Sequence, residues 1–225
     1  MIKVGDTMIN PTKIVCIGRN YLDHIKETNA PIPTEPVFFV KTLNTLITEG
    51  NPIIYPKVLF KNPDYDRVDH EVELAFIISK TCKHIQAQNA YDYIEGYTVF
   101  LDITARKMQI RDRNKKLPWF RSKNFDSFGP ISEIKDINEI RDPHNLDIEL
   151  KINGVVKQSS NTKYMIFKIP FLIEYLSSFI TLEKGDIIAT GTPSGVGPIQ
   201  PGDKIEASIE KIGMITHQVV LEKAE

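Results

Sequence analysis

Residues 147–158 read DIELKINGVVKQ. With Leu146 ahead of them, Ile148, Leu150 and Ile152 alternate with polar residues at the period of a strand with one buried face. Asn153-Gly154 follows, a pair suited to the positive φ angles of a type I′ turn, and Val155 to Gln158 resumes strand-like sequence. The segment is a β-hairpin. Working outward, strand-like runs recur at Ile14 to Ile17, Val37 to Val40, Val72 to Ile78, Tyr97 to Ile103, Asp186 to Ala189, Lys204 to Ile209 and Met214 to Leu221. Helical patterns are fewer: Ala87 to Glu95 stopped by Gly96, Ala105 to about Lys116, and Pro170 to Phe179, with Leu172, Leu176 and Phe179 at i, i+4 and i+7. The expected class is α+β, predominantly β.

A chain of 225 residues, 41% hydrophobic and 25% charged, is long enough for one large core, and one domain over residues 1–225 is expected. The net charge of −1 provides no global field to attract nucleic acid, so any anion attraction must be local. The N-terminus has no apolar signal region, and no run approaches the roughly 18 apolar residues of a membrane helix. A soluble, cytoplasmic protein is the expectation, with no membrane partner. Cys16 and Cys82 sit in apolar strand-like runs without CxxC or Cys/His spacing, and read as small buried thiols. The stretch NAPIPTEP, Asn29 to Pro36, can neither extend a helix nor pair as a central strand, which suits a mobile lid-like loop.

Three acids carry the first chemical signal. In DHEVELAF, residues 69–76, Val72, Leu74 and Phe76 fall on one strand face and Asp69, Glu71, Glu73 and Ala75 on the other. Residues i and i+2 stand about 6.6–6.8 Å apart, so Glu71 and Glu73 can converge on one point. Two bare carboxylates at about 4 Å repel by roughly 4 kcal/mol at an effective dielectric near 20, so a converging pair must be solvated, share a proton or hold a cation. Asp102 closes the apolar run YTVFLDITAR just before a helix, where it serves either as an N-cap, a role open also to Thr104, or as a third ligand. Three acids together would make an all-oxygen site for Mg²⁺ or Mn²⁺.

The stretch from Ala105 to Lys123, ARKMQIRDRNKKLPWFRSK, holds eight Lys or Arg against one Asp. It invites an RNA-binding reading. A solvated helix whose Arg111, Lys115 and Lys116 face water is the simpler one. Arg106, Gln109 and Arg113 share one stripe that can look toward Asp102, and a guanidinium beside a metal suits an anionic, oxygen-rich substrate. In GRNYLDHIKE, His24 and Glu27 are spaced i, i+3, so the pair is either an exposed ion pair or a carboxylate orienting a basic imidazole. In ATGTPSGVGP the third glycine is followed by Pro198 and not by a helix, which makes a poor phosphate loop and a better tight turn.

Taken together, GRNYLDHIKE, DHEVELAF, LDITARKMQ, LPWFRSKNFD, MIFKIPFLIEYLS and LEKGDIIATGTPSGVGP resemble the fumarylacetoacetate hydrolase family, and within it the acylpyruvase and oxaloacetate decarboxylase branch. The matching segments appear in family order from about Ile14 to the C-terminus. The resemblance implies a mixed-sheet β-roll over residues 51–225, preceded by an N-terminal segment of residues 1–50 whose loop 20–36 acts as a lid, in a homodimer. It implies that Glu71, Glu73 and Asp102 bind Mg²⁺ or Mn²⁺, that Lys123 is an active-site lysine, and that His24 and Glu27 form a catalytic dyad. Arg19, Arg106, Gln109 and Thr192 correspond to substrate-contacting positions. The chain departs at Gly129 in FDSFGP, where many relatives have cysteine, a difference expected to bear on substrate shape.

The implied substrate is a small 2-oxo acid or 1,3-diketo acid. The implied reaction is metal-dependent hydrolysis of the carbon–carbon bond of acylpyruvates, with oxaloacetate decarboxylation or tautomerisation at the same site. Isomerisation or decarboxylation of a 2-hydroxyhepta-2,4-diene-1,7-dioate type of substrate is the alternative within enzymes, and an RNA-binding module using residues 105–123 is the alternative outside them.

Overall fold

The computed structural model describes residues 2–223. Strands dominate. The hairpin forms from Asp147–Ile152 and Val155–Asn161, with Ile152 paired to Val155 across a two-residue turn. Asn153 and Gly154 sit at φ 51° and 78°, the left-handed pair that a type I′ turn requires. This hairpin edges a five-stranded sheet ordered Val155–Asn161, Asp147–Ile152, Lys204–Ile209, Gly213–Leu221, Ile53–Tyr55, antiparallel but for the last pair. One residue is extra opposite the junction of Leu150 and Lys151, because Leu150 pairs with Gln158 and Lys151 with Val156. Such a bulge re-aims side chains: Val155, Val156 and Lys157 are exposed, and Gln158 is fully buried.

The second sheet has six strands, in the order Lys135–Asp136, Ile94–Leu101, Val72–Ile78, Ile187–Ala189, Ile14–Gly18, Val37–Lys41. It is mixed, since Ile187–Ala189 runs parallel to Ile14–Gly18 while its other pairings are antiparallel. Every residue of Val72–Ile78 is buried because the two faces are both covered. Val72, Leu74 and Phe76 enter the large core shared with Ile148, Leu150, Ile205 and Ile209. Ala75 and Ile77 meet a second cluster with Val4, Ile9, Ile14, Ile131 and Ile187. A small third sheet, Thr104–Ala105, Val68–His70, Gly197–Ile199, closes the end where the two large sheets meet the acidic residues.

Two expectations change. The Ala87 to Glu95 helix is a 3-10 segment over Ala87–Tyr93, and Gly96 does not stop it; the residue lies inside the strand Ile94–Leu101. The local helical pattern yields to sheet pairing because the strand packs edge-on to Lys135–Asp136, whose backbone passes so close that a Cβ on Gly96 would stand 2.3 Å from the Lys135 carbonyl oxygen. Helix formation after Asp102 does occur, over Arg106–Asn114, and the helix begun by Pro170 covers Ile169–Phe179. Cys16 and Cys82 are buried and unpaired. Among the described residues no helix is long and apolar enough to cross a membrane.

Gly96→Ala therefore tests the edge packing, since Gly96 has no positive φ to confound the steric effect. It is expected to destabilise the protein by about 1–3 kcal/mol, as overpacking does, read as a lower urea midpoint at unchanged slope. A midpoint equal to wild type would contradict the close approach.

Candidate metal centre

The pairing register builds the centre. Val72 pairs with Leu101 and Glu73 with Phe100, so one step further along the ladder puts Glu71 opposite Asp102, and the Asp102 amide donates to the Glu71 carbonyl at 2.9 Å. Directly opposed residues bring their Cβ atoms to about 5 Å. Glu73, two residues on, shares that face. Glu71, Glu73 and Asp102 thus each offer a carboxylate oxygen, all within 4.8 Å of one another, and all three residues are buried.

Cations surround them. Lys123, on the short helix Phe120–Lys123, donates to Glu71 Oε2 at 2.9 Å, to Thr104 Oγ1 at 2.7 Å and to Asp102 Oδ2. Lys41, fully buried at the end of its strand, donates to Asp102 Oδ1 at 2.7 Å and to the Ile103 carbonyl at 3.1 Å. Arg106 donates from Nε to Asp69 Oδ2 at 2.8 Å, from Nη1 to Gln109 Oε1 at 2.6 Å, and from Nη2 to Glu71. Burial works against the charged form of Glu71, but Lys123 and Arg106 outweigh it and hold its carboxyl well below the ordinary range. Burial likewise opposes the Lys123 ammonium, and Asp102 and Glu71 overcome it, so its pKa is raised.

Glu73 is the exception. It accepts from the Gly191 amide at 2.8 Å and has no lysine or arginine of its own. Burial, followed by the charges of Asp102 and Glu71, pushes its pKa well above the usual carboxylate value. Its carboxylate becomes favourable beside a divalent ion, and the donor set is entirely oxygen, as Mg²⁺ and Mn²⁺ prefer. The residues fit such an ion.

The glycine-rich turn is the second wall. Gly191 takes φ 96°, and a Cβ there would stand 2.8 Å from the Asn20 Cβ, so only glycine lets this backbone reach Glu73. Thr192 donates to the Val72 carbonyl at 2.9 Å and accepts from Gln158 Nε2 at 2.8 Å. The third wall is the helix Leu22–Glu27, where His24 Nδ1 lies 3.1 Å from Glu27 Oε2 while Glu27 Oε1 accepts from the Gly195 amide at 3.0 Å. The dyad spacing is thus closed into a ladder from turn to carboxylate to imidazole, and His24 itself is buried.

One cleft brings nearly all the candidates together: Arg19, His24, Glu71, Glu73, Asp102, Arg106, Gln109, Lys123 and Thr192 line it, and Glu27 supports it from behind His24. Arg113, Phe39 and Trp119 line it too. Neither Asp102 nor Thr104 caps the following helix, whose N-cap Ala105 has no side-chain bond. Gly129 is no part of the cleft lining; it lies against Thr45 and Phe100. Arg111 does not simply face water, because its guanidinium lies 5.2 Å from the Tyr65 ring centroid. Lys107, Arg111 and Arg121 pair with Asp66, Asp64 and Asp112, and Arg106 and Lys123 turn inward toward the acidic residues.

Four participants escape a reading of motifs: Lys41, Asp69, Gln158 and Asn20. Asp69 was visible on the Glu71 face by alternation, and its role in gripping Arg67 and Arg106 is what the spacing left unread. Lys41 ends an apolar strand and carries no other signal. Gln158 is turned inward by the bulge, where it also meets His70 Nδ1 at 3.0 Å and the Val72 amide at 3.1 Å. Asn20 donates to the Thr190 carbonyl at 2.7 Å and the Phe167 carbonyl at 3.0 Å, and accepts from the Phe167 amide at 2.7 Å.

Residues 13–220 match the family model for the fumarylacetoacetate (FAA) hydrolase C-terminal region. The chain is 43% identical over 213 residues to the oxaloacetate tautomerase FAHD1, mitochondrial, of Homo sapiens, covering 94% of this chain and 92% of that one. It is similar in structure to a fumarylpyruvate hydrolase from Pseudomonas aeruginosa solved with Mn²⁺ and pyruvate, at TM-score 0.88 and 30% identity over 97% and 93% of the two chains. It is also similar to a 5-carboxymethyl-2-hydroxymuconate delta-isomerase from Mycobacterium smegmatis, at TM-score 0.83 and 36% identity over 96% and 81%.

The uncompensated Glu73 yields a crossed prediction. Its folded pKa exceeds the unfolded value near 4.3, so the metal-free protein loses stability as pH rises from there through the raised value. Glu71 has the opposite sign, losing its contribution as pH falls below the ordinary carboxylate range. Glu73→Gln removes the first penalty. In EDTA its melting temperature should equal or exceed that of wild type, by a margin that grows with pH. A hundredfold excess of Mn²⁺ over its Kd should raise wild type by roughly 5–10 °C and the variant far less. Equal metal shifts in the two proteins would remove Glu73 from the ligand set.

Proposed function

The chain belongs to the fumarylacetoacetate hydrolase family, and we propose that its cleft binds Mg²⁺ or Mn²⁺ on Glu71, Glu73 and Asp102 and acts on small 2-oxo acids, hydrolysing the carbon–carbon bond of acylpyruvates and interconverting or decarboxylating oxaloacetate. The observation that carries this reading is the meeting of three buried carboxylates with the His24–Glu27 pair in one cleft. When bound, the ion supplies Lewis acidity to the ketone oxygen of a chelated 2-oxo acid and accounts for its placement.

The chain's own groups do the rest. Gln109 and Thr192 flank the substrate, and Arg106, fixed by Asp69, presents a guanidinium matched to a carboxylate. In hydrolysis His24 takes a proton from water while Glu27 steadies the imidazole, and the oxygen adds to the distal carbonyl carbon. The carbon–carbon bond then breaks, its electron pair moves into the pyruvate enolate, and Lys123 counters the developing charge. Return of the proton to carbon gives pyruvate and the carboxylate product. Oxaloacetate needs no attacking water: loss of CO₂ or of a C3 proton leaves electrons for the same sink. Isomerisation of an unsaturated dicarboxylate would use that sink as well, a second reading favoured by the likeness to the isomerase from Mycobacterium smegmatis.

A panel of acylpyruvates and oxaloacetate, assayed in EDTA and with Mg²⁺ or Mn²⁺ restored, tests the reading; activity indifferent to chelation would overturn it. His24→Ala separates the reactions. Acylpyruvate hydrolysis should fall by about 10²–10⁴-fold, the usual worth of a general base, while oxaloacetate decarboxylation falls less than tenfold. Equal losses would contradict a water-activating role confined to hydrolysis.

A further inference from the structure

The glycine-rich turn reaches the site at two ends. At the first, Gly191 donates to Glu73, and this end has its own anchor, because Thr190 meets the Leu74 carbonyl with its amide at 2.9 Å and its hydroxyl at 2.8 Å. At the second, Gly195 donates to Glu27 Oε1, and Glu27 Oε2 faces His24 Nδ1. This second end rests on the hairpin. A Cβ on Gly195, whose φ is 92°, would stand 2.1 Å from the Lys157 carbonyl oxygen. The next hairpin residue, Gln158, donates from Nε2 to the Thr192 hydroxyl at 2.8 Å and to the Pro193 carbonyl at 2.9 Å. Pro193 has a ring-fixed φ, so a pin at its carbonyl sets the direction in which Ser194 and Gly195 leave.

The Gln158 amide has one possible orientation. The Val72 amide, 3.1 Å from Oε1, only donates, and the Pro193 carbonyl only accepts. His70 Nδ1, 3.0 Å from the same Oε1, must then carry its proton, and Nε2, without a partner among the described residues, keeps a lone pair. The Thr192 hydroxyl, accepting from Gln158, gives its own proton to the Val72 carbonyl at 2.9 Å. Every polar hydrogen of this network is thereby assigned, and both Gln158 and His70 are fully buried. A buried network satisfied throughout rigidifies what it touches, and removing one member leaves the others unpaired. Neither Gln158 nor His70 lines the cleft, so whatever they do there is done through the turn.

We propose that Gln158, locked in one orientation by His70, is a positioning residue that fixes the Gly195 end of the turn and, through it, the Glu27 carboxylate that steadies His24. That role rests on the reading of His24 and Glu27 as the water-activating pair of hydrolysis. Because the Gly191 end has its separate anchor, loss of Gln158 disturbs the dyad more than the metal ligands. The bulge that turns Gln158 inward, far from the cleft in sequence, thus serves the imidazole.

The test compares acylpyruvate hydrolysis with oxaloacetate decarboxylation in Mg²⁺-loaded wild type, Gln158→Met, His70→Leu and His70→Asn. Asparagine carries an N–H one bond beyond Cγ, where histidine has Nδ1, so it keeps the donor to Gln158 that leucine lacks. In Gln158→Met and His70→Leu, kcat for hydrolysis should fall roughly tenfold to a hundredfold, the scale on which a misplacement of about 1 Å acts, while decarboxylation falls less than about threefold. His70→Asn should recover most of the lost hydrolysis. Equal losses in the two reactions, no loss of hydrolysis, or no recovery with asparagine would overturn the positioning role. Long-range ¹H–¹⁵N spectra of the wild-type histidines test the network without any variant: His70 should carry its proton on Nδ1, and a proton on Nε2 instead would overturn the orientation on which the proposal stands. A wild type that decarboxylates oxaloacetate but hydrolyses no acylpyruvate would overturn the hydrolytic reading, and this role with it, whichever tautomer His70 holds.

Discussion

Mutual repulsion of three buried carboxylates is the constraint around which this molecule is arranged. Taken out of water, unpaired charges of this kind cost several kcal/mol each, and the fold answers by burying Lys41 and Lys123 and nearly burying Arg106 among them. The compensation is uneven. Asp102 and Glu71 have lysine or arginine partners, whereas Glu73 has a single backbone amide. An arrangement built for stability alone would have paired or removed Glu73; one built to hold a divalent cation keeps it.

The rest of the architecture delivers backbone to this point from distant parts of the chain. The antiparallel ladder sets Asp102 opposite Glu71, the parallel pairing of Ile187–Ala189 with Ile14–Gly18 carries the glycine turn and the GRNY segment to the same end of the sheet, and the small third sheet closes it. The bond from Gly195 to Glu27 then ties that turn to the helix bearing His24. Position of the imidazole is therefore linked to a segment whose continuation, Asn29 to Glu35, has no helix or strand and is partly or fully exposed.

Where local pattern and tertiary context agree, the sequence was readable. The hairpin turn at Asn153-Gly154, the alternation of Val72, Leu74 and Phe76, and the strand Lys204–Ile209 follow from period and turn chemistry. Gly96 was misread because its constraint comes from the Lys135 backbone, remote in sequence, and has no trace in the surrounding residues. At the site, the acids and the Arg106 stripe could be seen as candidates, and the family resemblance joined them. Lys41 and Asn20 could not be seen, because a lysine ending a strand and an asparagine after an arginine acquire meaning only from partners 61 and 147 or more positions away.

Crystals soaked with Mn²⁺ and oxalate, which presents the paired oxygens of a 2-oxo acid, bear most directly on the gathering of the carboxylates about one ion. An anomalous map should contain a peak in the cleft, roughly 2.1 Å from one oxygen each of Glu71, Glu73 and Asp102, with both oxalate oxygens on its open side. A cleft without that peak, with Asp102 and Glu71 still held by Lys41, Lys123 and Arg106 and Glu73 by the Gly191 amide, would contradict the metal-dependent chemistry at its root.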